Sequence, residues 1–334
     1  MARNPDTSRI AIAGAGAIGC YVGGLLAQAG HSVSFLGRPR ILDEVRRSGL
    51  HLTDYAGLDV RLPAEQLSLS EDAEILRHAD LILVCVKSSA TAQIAEQIAQ
   101  HAKPDAILVS LQNGMGHADT LRIALPAHDI RAAMVPFNVV PMGGGHFHRA
   151  TSGDIVIGAG PHDVATTISV EGLHVTQSDE IEAVQWGKFL LNLNNAANAL
   201  SGMRLQAQLL DRDWRRVMAD QMVEALQVLR AHGQAMRPTT PVPVWLLPHI
   251  LRLPTPVFRR VAAKMLTIDP QARTSMAYDL IAGRPTEIDA LQGRVIEMGA
   301  QKSIPTPLST ALLAAVKQAE QTGARPHTPQ ELRG

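Results

Sequence analysis

The sequence carries no net charge: 31 lysines and arginines are matched by 31 aspartates and glutamates. That removes the electrostatic case for a nucleic-acid or membrane-surface partner, while a local positive site can still hold a small anion. Cysteine is scarce. Cys20 and Cys85 form no metal-ligand spacing, and each lies in an apolar run, so both read as buried free thiols in a reducing compartment. No apolar run reaches the roughly 20 residues of a membrane-spanning helix. Val242 to Leu253 is apolar but short, and Pro243, Pro248 and the following Pro254 break it. The opening from Met1 to Arg9 is short and polar, unlike a secretory leader. These absences predict a cytoplasmic location. No internal repeat is visible.

What is present is a globular composition, 46% hydrophobic and 19% charged, in a chain of 334 residues. That is long for one core. Two domains are expected, residues 1–178 and 179–334, because short apolar strands give way to long helical patterns near Asp179.

Ile10 to Ala13 reads as a short buried strand. It runs into Gly14-Ala15-Gly16-Ala17-Ile18-Gly19, then a helical pattern ending at Gly30, then a second strand from His31 to Leu36. Strand, glycine-rich turn, helix, strand is the context in which this pattern binds a dinucleotide. Gly14 permits the tight turn, Gly16 lets backbone approach a pyrophosphate, and Gly19 lets the helix pack close to the strand. The helix N-terminus presents free N–H groups and partial positive charge to the phosphates. After the second strand comes Gly37-Arg38-Pro39-Arg40, with no carboxylate for a ribose 2′-hydroxyl. A guanidinium there suits a 2′-phosphate, so NADPH is preferred over NADH. Arg38 is the better placed; Arg40 either assists or is solvated.

Asp80 to Lys87 reads as a continuous strand in the middle of a parallel sheet, with Lys87 at its C-terminal end, the edge at which such sheets bind ligands. Ala106 to Leu111 is the next strand, followed by Gln112-Asn113-Gly114. Asn113 can bond a nicotinamide ribose or a substrate, and Asn-Gly is equally a good turn sequence. Ala132 to Val140 reads as one further strand. Ile155 to Gly158 closes the sheet. His146 and His148 lack a third ligand at metal spacing and read as a structural loop.

In the second half, one helix is predicted from Asp179 to Leu200. At about 100° per residue, Asn192 falls about 40° from Lys188, and Asn195 about 20° to its other side. Lys188, Asn192 and Asn195 form a polar stripe on an otherwise apolar helix. Buried polar groups cost free energy unless paired, so the stripe is read as facing an interdomain cleft. A partly desolvated lysine there can protonate a developing alkoxide, and the amides can hold a carboxylate or carbonyl oxygen. The stretch from Pro238 to Pro256 reads as an irregular loop or short helices. Thr286 and Asp289 have capping-box spacing, and Glu287 alone reads as an acid complementing a helix dipole.

Together these residues resemble the ketopantoate reductase (2-dehydropantoate 2-reductase) family. The match runs from the glycine turn through Val84-Cys85-Val86-Lys87 and Asn113-Gly114-Met115-Gly116 to Lys188 with Asn192. It ends at Ser275-Met276, Asp279 and Pro285-Thr286-Glu287-Ile288-Asp289. The resemblance implies a Rossmann-type N-terminal domain and an all-α C-terminal domain like that of 6-phosphogluconate dehydrogenase. It implies Lys188 as general acid and Glu287 as second catalytic residue, placed to engage the substrate hydroxyl and close to the cofactor. Asn113, Asn192 and Ser275 would meet substrate, Asn113 also the cofactor; Asn195 is expected beside the substrate from the polar stripe alone. Arg38 and Lys87 would lie along NADPH with Gly14, Ala15, Gly16, Ala17, Ile18 and Gly19. The implied reaction is hydride transfer from NADPH to the ketone of 2-dehydropantoate. From the residues themselves no metal is expected, and the apolar helical second domain is compatible with a homodimer. The family's further asparagine, eight residues after the lysine, is Ala196 here. Another branched 2-oxo acid, a β-hydroxyacid dehydrogenase activity, or a non-catalytic NADPH sensor are the competing readings.

Overall fold

The computed structural model describes residues 8–240, 242–266, 269, 271–323 and 325–333; the polar opening up to residue 7, Pro241 of the proline-rich stretch and Pro270 lie outside them. Contacts divide the chain into two compact units, Met1–Ile181 and Glu182–Gly334.

In the first unit the strands are β1 (Arg9–Ala13), β2 (Ser32–Leu36), β3 (Leu50–Asp54), β4 (Asp59–Leu62), β5 (Ser68–Ser70), β6 (Leu81–Val84), β7 (Ile107–Ser110), β8 (Ile130–Met134), β9 (Val139–Gly143), β10 (His146–Arg149), β11 (Ile155–Gly158) and β12 (Val175–Ser178). Eight of them form one sheet in the order β12-β11-β8-β7-β6-β1-β2-β5. The pairings from β5 to β8 are parallel, and β11 joins β8 antiparallel. The chain leaves β1 toward β2 and β5, then returns to build β6, β7 and β8 on the other side. The order therefore reverses between β1 and β6, the switch point of a doubly wound sheet. Both faces are buried. Ile10 and Ile12 join the core beneath helix α1 (Ala17–Gln28), while Ala11 and Ala13 join the opposite core. Helices α2 (Pro39–Ser48), α3 (Thr91–His101), α4 (His117–Ala124) and α5 (Val164–Ile168) complete the unit.

Two strand expectations are corrected. The stretch from Ala132 to Val140 is not one strand: β8 ends at Met134, and β9 belongs to a separate four-stranded sheet, β4-β3-β10-β9. Pro136 lies between them, and proline has no N–H to continue a ladder. His146 and His148 lie in β10 of that small sheet rather than in a loop, both within 2.8 Å of the Thr53 hydroxyl.

The second unit is helical: α6 (Ile181–Asn192), α7 (Asn194–Ser201), α8 (Leu205–Leu210), α9 (Arg212–Ala231), α10 (Leu247–Arg252), α11 (Thr255–Val261), α12 (Ser275–Ile281), α13 (Arg294–Gln301), α14 (Pro307–Thr322) and α15 (Pro329–Arg333). Asp211 caps α9 by accepting from the N–H groups of Asp213 and Trp214. From Leu247 the proline-rich stretch forms α10 and, from Thr255, the start of α11. It is tied to α9 by Arg215, which is fully buried and donates to the carbonyls of Leu209, Leu251 and Leu253. The whole is a Rossmann-type α/β unit followed by an all-α unit.

Candidate active site

The glycine turn lies at the switch point. Gly14 has φ +117°, and a Cβ there would sit 2.7 Å from the Val86 nitrogen, so the turn after β1 abuts the chain leaving β6. The N–H groups of Gly14 and Ala15 both donate to the Leu36 carbonyl, at 3.0 and 2.8 Å. A Cβ on Gly19 would collide with the Gly14 carbonyl oxygen and approach Ile12 Cγ2 to 2.8 Å. Gly16 is different: a Cβ there would meet nothing within 4 Å. Its lack of a side chain serves no internal packing. It leaves backbone accessible at the N-cap of α1, which suits a pyrophosphate.

Arg38 is the N-cap residue of α2, directly after β2 and Gly37. Arg38 and Arg40 are both exposed, and neither makes an ion pair among the described residues. Both can receive an anion. Lys87 lies further along than its expected place: β6 stops at Val84, and Lys87 is an exposed residue heading the short turn Ser88–Ala90. Asn113 is half-buried in the loop after β7. Its carbonyl accepts from Nε2 of His117 at 2.8 Å, and the Ser88 hydroxyl lies 3.2 Å from the same nitrogen. Burial pushes the His117 pKa down, partly opposed by that carbonyl. His117 thus ties the loop after β6 to the loop after β7. Sequence reading missed it, because a lone histidine after a glycine turn carries no pattern.

In the second unit the predicted single helix is two. The helix breaks at Leu193, so Lys188 and Asn192 lie on α6 while Asn195 lies on α7. Trp186, Phe189 and Leu190 supply the buried face of α6. Lys188, Asn192 and Asn195 are each half-buried. Desolvation pushes the Lys188 ammonium down to about 8 from 10.5, while the Glu287 carboxylate acts to raise it. A lysine so held gives up its proton more readily than a solvated one, and the carboxylate keeps part of the population charged. Gly187, beside Lys188, is required by packing: a Cβ there would collide with the Arg237 carbonyl, and the Arg237 N–H donates to Ala183 at 2.8 Å.

The neighbouring amides do different work. Asn194 and Gln208 exchange hydrogen bonds at 3.3 and 3.0 Å, and Asn198 donates to Gln208 at 3.0 Å. Asn198 also accepts from the Thr274 N–H at 3.1 Å. This buried network fixes the start of α12, where Ser275 is the first helical residue. Ala196, the departure from the family pattern, is wholly buried. Ser275 and Glu287 are half-buried. Thr286 and Asp289 form no capping box. The Thr286 N–H donates instead to Glu320 at 2.7 Å, and Asp289 pairs with Lys317. Cys20 is buried, whereas Cys85, behind the glycine turn, is only half-buried.

A glycine turn at the switch point of a doubly wound sheet, followed by a helical unit with a desolvated lysine near a carboxylate, defines an oxidoreductase of the Rossmann class. Comparison with known proteins makes this particular. Residues 10–162 match the family model for ketopantoate reductase PanE/ApbA, and residues 180–320 match the model for its C-terminal part. The chain belongs to the ketopantoate reductase family. It is 29% identical over 325 residues to the 2-dehydropantoate 2-reductase of Halobacterium salinarum, covering 94% of this chain and 100% of that protein. The crystal structure of a PanE/ApbA family ketopantoate reductase from Ralstonia eutropha JMP134 superposes with a TM-score of 0.79 at 33% identity, covering 94% of this chain and 99% of that one. A D-mandelate dehydrogenase, solved with NADH and anilino(oxo)acetate, superposes with a TM-score of 0.77 over 94% of this chain and 98% of that one; at 22% identity this shows the fold alone.

Proposed function

We propose that the chain reduces 2-dehydropantoate to pantoate with NADPH. The observation that carries the reading is Lys188, desolvated to a pKa of about 8 and influenced by Glu287, in a chain of this family. Bound NADPH supplies the hydride. The chain's residues do the rest. The Gly14–Gly19 turn and the α1 N-terminus hold the pyrophosphate, Arg38 with Arg40 meets the 2′-phosphate, and Lys87 and Asn113 contact the cofactor further along. Asn192, Asn195 and Ser275 hold the 2-oxo acid. Lys188 donates its proton to the oxygen that becomes the hydroxyl, and Glu287 engages that hydroxyl and maintains the lysine's charge.

Ala196 favours a second reading, in which another branched 2-oxo acid is the physiological substrate. The test is turnover followed by nicotinamide absorbance, with NADPH and NADH in parallel, on 2-dehydropantoate beside a panel of aliphatic and aromatic 2-oxo acids. The higher kcat/KM is expected for NADPH with 2-dehydropantoate. Preference for a different 2-oxo acid would leave the Lys188 chemistry and replace the substrate. Preference for NADH would remove Arg38 and Arg40 from the 2′-phosphate role.

A further inference from the structure

Glu287 stands on a mount that the reading above does not use. The helix after it opens with a π turn, Asp289–Gly293, and the Leu291 N–H reaches back to the Glu287 carbonyl at 3.2 Å. Such turns are rare and gather at functional sites. On one side α14 holds the segment, through Glu320 on the Thr286 N–H and Lys317 on Asp289. On the other side it is held by Gln292, which is wholly buried. Its Nε2 donates to the Leu193 carbonyl at 2.8 Å, across 99 positions of sequence. Leu193 is the residue at which α6 gives way to α7, directly after Asn192. One buried hydrogen bond therefore joins the turn behind Glu287 to the helix end that carries Lys188 and Asn192. The Gln292 Oε1 has no partner among the described residues, so the donor is the half of the amide in use. A buried amide that uses only its donor costs more than an apolar side chain of the same size. Its presence calls for a reason beyond packing.

We propose that Gln292 is a positioning residue that fixes the placement of Glu287 relative to the Lys188–Asn192 helix end. This rests on the reading of Lys188 as general acid and Glu287 as its carboxylate partner.

The test is Gln292→Met, which removes the donor at similar volume, made in the wild-type and Glu287→Gln backgrounds of the full chain. In the wild-type background, kcat is expected to fall about 10- to 100-fold, the scale of a small misplacement, with KM for NADPH unchanged. The basic limb of the kcat profile should move to lower pH, because Glu287 is the charged group that supports the Lys188 ammonium. In the Glu287→Gln background the same change should cost less than about twofold, since coupled residues are non-additive. Equal losses in both backgrounds would overturn the proposal and leave Gln292 a packing residue. If Gln292→Met does not fold, Gln292→Asn, a shorter amide, should give the same pattern at smaller size. Nitrogen NMR of lysine-labelled protein, with six lysines in the chain, reads the Lys188 titration without turnover. A lower Lys188 midpoint in Gln292→Met supports the mount even if no 2-oxo acid is reduced, in which case only the functional reading fails. An unmoved midpoint in a folded variant overturns the mount.

Discussion

Removing the proposed acid should stabilise the protein while abolishing its chemistry. Lys188 has a pKa of about 8 in the folded chain and 10.5 ordinarily, with burial the leading cause. At 1.36 kcal/mol per pH unit, the full displacement corresponds to about 3 kcal/mol of disfavour for the buried ammonium. The sign follows from linkage. Between pH 8 and 10.5 the unfolded chain binds a proton that the folded chain does not, so stability rises with pH across that window. Below pH 8 both states are protonated and the folded state bears the whole cost. Lys188→Met removes the charge and keeps an unbranched apolar stem. Residual solvent at the half-buried ammonium reduces the gain to about 1–2 kcal/mol at pH 7. For a unit of this size that is a rise in melting temperature of roughly 2–8 °C. The assay is denaturation of both proteins at pH 7 and near pH 10, beside turnover at pH 7. The gain should shrink toward zero as pH approaches 10.5. A variant less stable than wild type at pH 7, or a gain independent of pH, would refute the desolvation argument. Retained turnover would separately remove Lys188 as the acid.

Two further substitutions test the frame. Gly19→Ala drives a methyl into the Gly14 carbonyl oxygen and against Ile12 Cγ2 at 2.8 Å. It should cost about 1–3 kcal/mol of stability and weaken NADPH binding in a fluorescence titration, whereas unchanged melting and affinity would show that the turn yields freely. Arg215→Met leaves the carbonyls of Leu209, Leu251 and Leu253 without their donor and removes the guanidinium lying 4.2 Å over the Phe258 ring. It should cost about 3–5 kcal/mol in chemical denaturation, and a loss below about 1 kcal/mol would mean that water replaces the arginine.

The parts of this structure that were legible in the sequence are those whose cause is local. Ile10 to Ala13 alternates between two cores on the two faces of one strand. The three glycines sit where a turn, an open backbone and a close approach need them, each within five residues of the next. The small sheet was not legible. β3 and β10 are parallel neighbours nearly 100 positions apart, and their alternate residues are His51, Thr53, His146 and His148, which pair with one another and with Asp59 rather than with a core. The amides were half-legible. Spacing singled out Asn192 and Asn195, but their neighbours Asn194 and Asn198 are the ones buried, with Gln208 as their partner.

The same reasoning explains why a helical unit needs so many irregularities around one lysine. An uninterrupted helix from residue 181 to 201 would hold the Leu193 carbonyl in its own ladder. The break at Leu193 instead leaves that carbonyl to accept from Gln292, while Asn198 on α7 fixes the start of α12 by accepting from the Thr274 N–H. The π turn then supplies the extra residue that lets Gln292 face inward while Glu287 remains half-exposed ahead of it. Each deviation from regular geometry costs backbone hydrogen-bond quality, and each is matched by a buried side-chain bond to a distant carbonyl or N–H. A lysine held near pH 8 by opposing desolvation and charge is sensitive to small displacements of either cause. Rigid anchoring from several elements is the physical condition for holding that balance, and bonds of this range leave no periodicity in the sequence.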